Sequence, residues 1–160
     1  MPTQCCAVAA DTKVETPEGP LAIRAAAGQT IAVLTRDDTG QHCFRLMRAV
    51  ELAASQQPVL KFTLENGRSF RVGAEQVLLK AGMVEARAAE IAPGDLLAAG
   101  FCFPPSYVYR DDDGQARTSK AALCVTGVEA AGTADIYRLA VDQSGSFCLS
   151  AGVLCKAEST

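Results

Sequence analysis

Between Leu60 and Val72 the chain spells out a β-hairpin, and that segment sets the terms for everything around it. Leu60, Phe62 and Leu64 alternate with Lys61, Thr63 and Glu65, so one face of a strand is apolar and the other polar. Asn66-Gly67 follows, a pair suited to the positive φ angles of a tight hairpin turn, and Phe70 and Val72 resume the apolar face. A slip of one residue would turn that face to water, so the register is predicted to be firm.

The same grammar runs through the rest of the sequence. Thr12 to Thr16 alternates and stops at Pro17-Glu18-Gly19-Pro20, a turn. Leu21 to Arg24 follows, then Gly28, then a strand from Thr30 to Thr35. Asp37-Asp38-Thr39-Gly40 turns the chain into an extended run, Cys43 to Leu52. Val84 to Ile91 reads as a short helix or an extended segment, ending at the turn Ala92-Pro93-Gly94-Asp95 before Leu96-Leu97. Residues 104–120, with two prolines, three aspartates and a glycine, form the one substantial loop. Ala122 to Glu129, Ile136 to Val141 and Phe147 to Cys155 read as three further strands. Short runs of this kind predict an all-β fold in a single domain, residues 1–160, a length that suits one core and not two.

Composition narrows the class of function. With 49% apolar and 21% charged residues the chain is globular, not disordered. A formal net charge of −3 gives no footprint for nucleic acid. No apolar run approaches the roughly 20 residues of a membrane helix, and the N-terminus has no signal-peptide pattern, so no membrane association is expected. Asp111-Asp112-Asp113-Gly114 fails as a calcium loop, because Tyr109 and Lys120 stand where the first and last ligands belong. The seven cysteines (5, 6, 43, 102, 124, 148 and 155) include no pair at two-residue spacing. They are read as reduced thiols in a cytoplasmic protein, with Cys148 and Cys155 in buried strands, and no cofactor or metal is expected.

Three stretches resemble the hedgehog/intein (Hint) autoprocessing domains. Cys6, then Asp11-Thr12, the strand Lys13 to Thr16, and Gly19, Ile23 and Gly28 are similar to the opening of inteins. Phe70 to Leu79 follows its hairpin as the family's second motif does, and leads to Ile91-Ala92-Pro93-Gly94-Asp95-Leu96-Leu97, which is similar to its Leu-x-Pro-Gly-Asp stretch. Ile136 to Val141 and Phe147 to Leu154 resemble the closing pair of strands. The resemblance implies a horseshoe-like all-β fold with pseudo-twofold symmetry, few short helices, and chain ends that meet near the centre. Loop 104–120 falls where many inteins carry an endonuclease, for which there is no room here.

The resemblance also implies a set of site positions, and most carry the wrong side chain. Cys6 is the candidate nucleophile, with one residue more before Asp11 than the intein pattern has. Gly73 and Gln76 stand at the positions of the family's Thr and His, which polarise and protonate the scissile amide. Losing an oxyanion donor costs about 10²–10³ in rate, and losing a general acid roughly 10²–10⁴. Gln76 can donate a hydrogen bond but cannot shuttle a proton. Arg138 replaces the carboxylate of Tyr-Asp-Leu, and Lys156-Ala157 replaces the terminal His-Asn, whose Asn amide cyclises in splicing. His42, the only histidine, lies outside the motif and is read as an ordinary strand-edge residue.

These losses predict a degenerate Hint domain that does not splice and binds an as yet unknown protein or peptide partner in its concave centre. Two alternatives stand beside that expectation. One is autoproteolysis through an N–S acyl shift at Cys6, with only Met1 to Cys5 as a leaving segment if Met1 is the natural start. The other is a cysteine-based metal or redox site formed by convergence of Cys6 and Cys155.

Overall fold

The computed structural model describes residues 6–36, 42–65, 67–82, 84–99, 108–110, 114–118, 122–142 and 145–159. Its strands in the first half are β1 (Val8–Ala9), β2 (Lys13–Thr16), β3 (Gly19–Ala22), β4 (Ile31–Arg36), β5 (His42–Leu64) and β6 (Ser69–Gly73). The second half holds β7 (Val77–Lys80), β8 (Val84–Arg87), β9 (Leu96–Ala98), β10 (Val108–Arg110) and β11 (Ala116–Thr118). It ends with β12 (Ala122–Val141), β13 (Ser146–Cys148), β14 (Leu154–Lys156) and β15 (Glu158–Ser159). Two 3-10 turns, Ile23–Ala26 and Ala88–Glu90, are the only helical elements among the described residues. The all-β expectation holds, and none of these helices is long or apolar enough to cross a membrane.

Eleven strands join one sheet, ordered β13-β14-β7-β9-β12-β1-β6-β5-β4, with β15 on β12 and β8 on β7. Its spine is the antiparallel ladder between β5 and β12, which runs from Val125↔Leu64 to Val141↔Met47. A straight strand of the 23 residues in β5 would span about 75 Å, whereas a domain this size is roughly 40 Å across. The ladder must therefore bend. Five register shifts and the positive φ angles of Ala49 (54°) and Gln56 (52°) supply the bends.

In the 60–72 hairpin Leu60 lies opposite Val72 and Phe62 opposite Phe70, so these residues share one apolar face, as expected. The two rings stack at 5.2 Å, with Phe62 and Leu64 buried. The connection is longer than a two-residue turn. Leu64 N–H bonds Arg68 C=O at 2.9 Å, leaving Glu65 to Gly67 as the loop, with Gly67 at φ 82° and Asn66 outside the described residues.

The structure refines the sequence reading at four places. The runs 43–52 and 60–64 belong to one strand, β5, and the runs 122–129 and 136–141 to another, β12, because each supplies the other's ladder through the stretch between. Phe147 to Cys155 is not one strand but the pair β13 and β14, folded back near Gly152 (φ 108°). Val84 to Ile91 divides into β8 and a 3-10 turn. The 104–120 segment contains a hairpin, β10 with β11, while Asp111-Asp112-Asp113 lies outside the described residues.

The halves repeat one plan. A hairpin (β2–β3 or β7–β8) leads to a 3-10 turn, a glycine turn and a strand, and later one of the two long strands. The main chain repeats with it. Ile23 N–H bonds Thr12 C=O at 2.9 Å, as Ala88 N–H bonds Gln76 C=O at 2.8 Å. Gly28 N–H bonds Val50 C=O at 3.0 Å, as Gly94 N–H bonds Val125 C=O at 2.8 Å. The same sequence offset separates Thr12 from Gln76 as Val8 from its ladder partner Val72, so the twofold relation runs past the β1–β6 contact. Around this contact lies the main core, with Val8, Phe62, Leu78, Leu139 and Phe147 among its fully buried side chains. Each contributes about 1.5–3 kcal/mol by leaving water.

Candidate functional site

β1 enters the sheet between β6 and β12, so Cys6, just before it, arrives at the middle of the molecule and is fully buried. Its thiol donates to Leu139 C=O at 3.4 Å and Lys156 C=O at 3.5 Å, on β12 and β14. Gln76, placed by the bend after β6, is also fully buried. Its Oε1 accepts Ala7 N–H at 2.8 Å. Its Nε2 donates to Lys156 C=O at 3.1 Å and Val77 C=O at 3.0 Å. One amide thus ties the start of β1 to the end of β14.

Gly73 is needed for a different reason. Its N–H bonds Ala7 C=O at 2.6 Å, and a Cβ built on it would stand 3.0 Å from Ala7 Cβ. Contact that tight leaves no place for a larger residue without movement of β1 or β6.

The other sequence-derived positions separate. The Lys156 main chain lies at the centre, but its Nζ reaches outward to Glu85 at 2.6 Å. Ala157 is buried, its N–H bonded to Gly145 C=O at 2.8 Å. Arg138 is exposed and pairs across the ladder with Glu51 on β5, so its charge lies away from Cys6. His42 opens β5 opposite Arg36. Cys5 lies outside the described residues.

Cys6, Cys43, Cys124, Cys148 and Cys155 are free thiols. Cys148 and Cys155 are buried strand residues, as expected. Burial, with Glu15 nearby, pushes the Cys148 thiol up to about 12, and burial also raises the Cys155 thiol. Both stay protonated and inert. Cys155 does come near the centre in sequence, since Cys6 meets the carbonyl of the next residue. No group of three or more His, Cys, Asp or Glu side chains suited to a metal occurs among the described residues.

The sequence matches no protein-family model and no curated protein. Solved structures do match it over nearly its whole length. The Ssp DnaB mini-intein variant M86 superposes with a TM-score of 0.77 at 13% identity, covering 98% of this chain and 97% of that one. The bacterial intein-like domain from Clostridium thermocellum gives 0.70 at 16% identity, over 94% and 98%. The DnaX mini intein from Spirulina platensis gives 0.69 at 16%, over 95% and 99%.

The chain has the Hint fold.

In this Hint fold, the residues missed from the sequence are main-chain groups: Ala7 N–H, Leu139 C=O and Lys156 C=O. No side-chain pattern marks them. For Ala7 the twofold repeat is an available signal, because it places residues 7–12 against 71–76.

Proposed function

We propose that this chain is a single Hint-fold domain that does not splice and that binds a protein or peptide partner. The observation that carries the reading is the engagement of Gln76 at both ends of its amide. Where the resemblance calls for an imidazole that moves a proton, this side chain makes fixed hydrogen bonds and has no proton to give up near neutral pH. Ala157 has no amide with which to cyclise, and Arg138 is engaged with Glu51 on an exposed face. The centre reads as a clasp for the chain's ends. The free thiols suit the cytoplasm, where they stay reduced.

One observation favours a second reading, slow acyl transfer at Cys6. Its sulfur is held among main-chain carbonyls at the meeting point of β1, β12 and β14, where the resemblance implies a nucleophile. The test is the intact mass of protein extended upstream by a short tag and incubated with hydroxylamine or a thiol. An unchanged mass after days is the expected result. A nucleophile-dependent cut before Cys6, abolished by Cys6→Ala, would replace the clasp by an autoprocessing centre.

A further inference from the structure

The twofold mate of the Gln76 clasp is open. There Thr12 Oγ1 donates to Arg71 C=O at 2.6 Å and its side chain ends, where Gln76 continues to a second strand. Beside it a groove of about 490 Å³ lies between β2, β6 and the turn before β14. That volume is within the range of small-ligand sites.

Its charge is one-sided. Lys13, Arg68 and Arg71 line it, against Asp11 as the only carboxylate among the described lining residues. Arg71 Nη1 holds Asp11 Oδ2 at 2.7 Å and Arg68 Nη1 holds Ser150 C=O at 2.9 Å, so both guanidinium groups are fixed before any ligand arrives. Two polar atoms of the lining residues, Arg71 Nε and Ser150 Oγ, are buried with no hydrogen-bond partner. Orphaned polar atoms of this kind are costly to leave unmet.

We infer that this groove binds a phosphate group through Lys13, Arg68 and Arg71. Three cations offset by one carboxylate match a phosphate dianion better than a singly charged carboxylate, and guanidinium forks suit its oxygens. Pro20 and Ala151 offer apolar wall to whatever carries the phosphate. The inference rests on the binding role proposed above, but not on the silence of the Cys6 centre. The mass assay reads only Cys6, and the experiment below reads only the groove.

The full chain, ¹⁵N-labelled, is titrated at constant ionic strength with inorganic phosphate, with a phosphoserine hexapeptide, and with chloride as the control. The expected result is saturable amide shifts at Lys13, Arg68, Ser69, Arg71 and Ser150 with phosphate, and none with chloride. Arg68→Gln should weaken binding about tenfold, the loss of one charge-assisted hydrogen bond. Lys13→Gln should weaken it about two- to fivefold, as for an exposed charge. Both positions carry surface charges, so the fold of each variant can be verified from the same spectra. Tighter binding of the hexapeptide assigns the phosphate to a peptide, and tighter binding of inorganic phosphate to a free small ligand; either supports the site. Scattered shifts, equal shifts with chloride, or unchanged affinity in both variants would overturn it.

Discussion

Gln76 and Thr12 are mates under the twofold repeat, and each side chain crosses to a main-chain group of the other repeat. Gln76 Oε1 takes the N–H of Ala7, and Thr12 Oγ1 gives its proton to the carbonyl of Arg71. The pair is reciprocal in position and unequal in reach. Gln76 alone continues to Lys156 C=O, joining the β1 and β14 ends of the domain.

Removing that reach is expected to be expensive. Gln76→Ala strands the buried Ala7 N–H, at about 1–3 kcal/mol, and removes the amide donor to Lys156 C=O, which keeps the Cys6 thiol. Thermal unfolding should move down by roughly 2–4 °C for each kcal/mol lost. A Tm within 1 °C of the parent would show that the amide is not the clasp.

Gln76→Glu separates the two ends of the amide. A carboxylate still accepts from Ala7 but meets Lys156 C=O as a second acceptor, so its proton is favoured in the folded state. The folded pKa then lies above the unfolded one. Stability is retained below the unfolded value and lost as pH rises through the folded value. Urea midpoints for this variant should climb relative to the parent as pH falls from 7 to 4; a flat difference would contradict the assignment.

Gly73→Ala drives a Cβ against Ala7 at 3.0 Å and should cost about 1–3 kcal/mol by overpacking. Ala7→Gly removes the opposing Cβ. In the double variant the two effects should therefore fall short of additive by about 1 kcal/mol or more. Additive losses would place the cost of Gly73 elsewhere.

The β-rich plan was legible wherever one segment carried its own alternation, as in Leu60 to Leu64 with Phe70 and Val72. It failed where pairing came from a distant strand. Gln57 and Pro58 have no strand pattern, yet they extend β5 because Ala134 and Thr133 face them. The turn at Gly152 was written in the sequence and passed over because apolar residues flank it on both sides. At the site, Gly73, Gln76 and Ala157 could be placed by resemblance, but not what Gln76 does instead, since its partners are main-chain atoms that look alike in any sequence. Arg138, which the resemblance sets at a family position, is exposed and faces its ladder partner Glu51.

Arg138→Ala should cost less than about 1 kcal/mol, the range of an exposed pair. Arg138→Asp, which puts a carboxylate back at the family position, should leave the tagged protein uncut. Cleavage in that variant would mean that the residue reaches the centre after all.

Cys148 and Cys155 set the alkaline limit. Their folded thiols titrate above the ordinary value of 9.0, Cys148 at about 12, so only the unfolded chain releases these protons between the two values. Stability is complete below about pH 9 and declines above it, by up to about 1.4 kcal/mol per pH unit for each thiol. Native protein at pH 8 should leave both thiols unmodified by a thiol reagent that labels them in urea. Rapid labelling of the native state would refute the burial.

The contact between Cys6 and Lys156 spans 150 positions of sequence. At ribosomal speeds of about 5–20 residues per second, roughly 8–30 s separate the making of the two residues. The thiol that ends up sealed has neither acceptor until Leu139 is made, 133 positions on, and lacks Lys156 throughout that interval. The burial that shields Cys6 in the folded domain is therefore acquired only once the last strands are made. In the finished molecule the same sulfur lies fully buried.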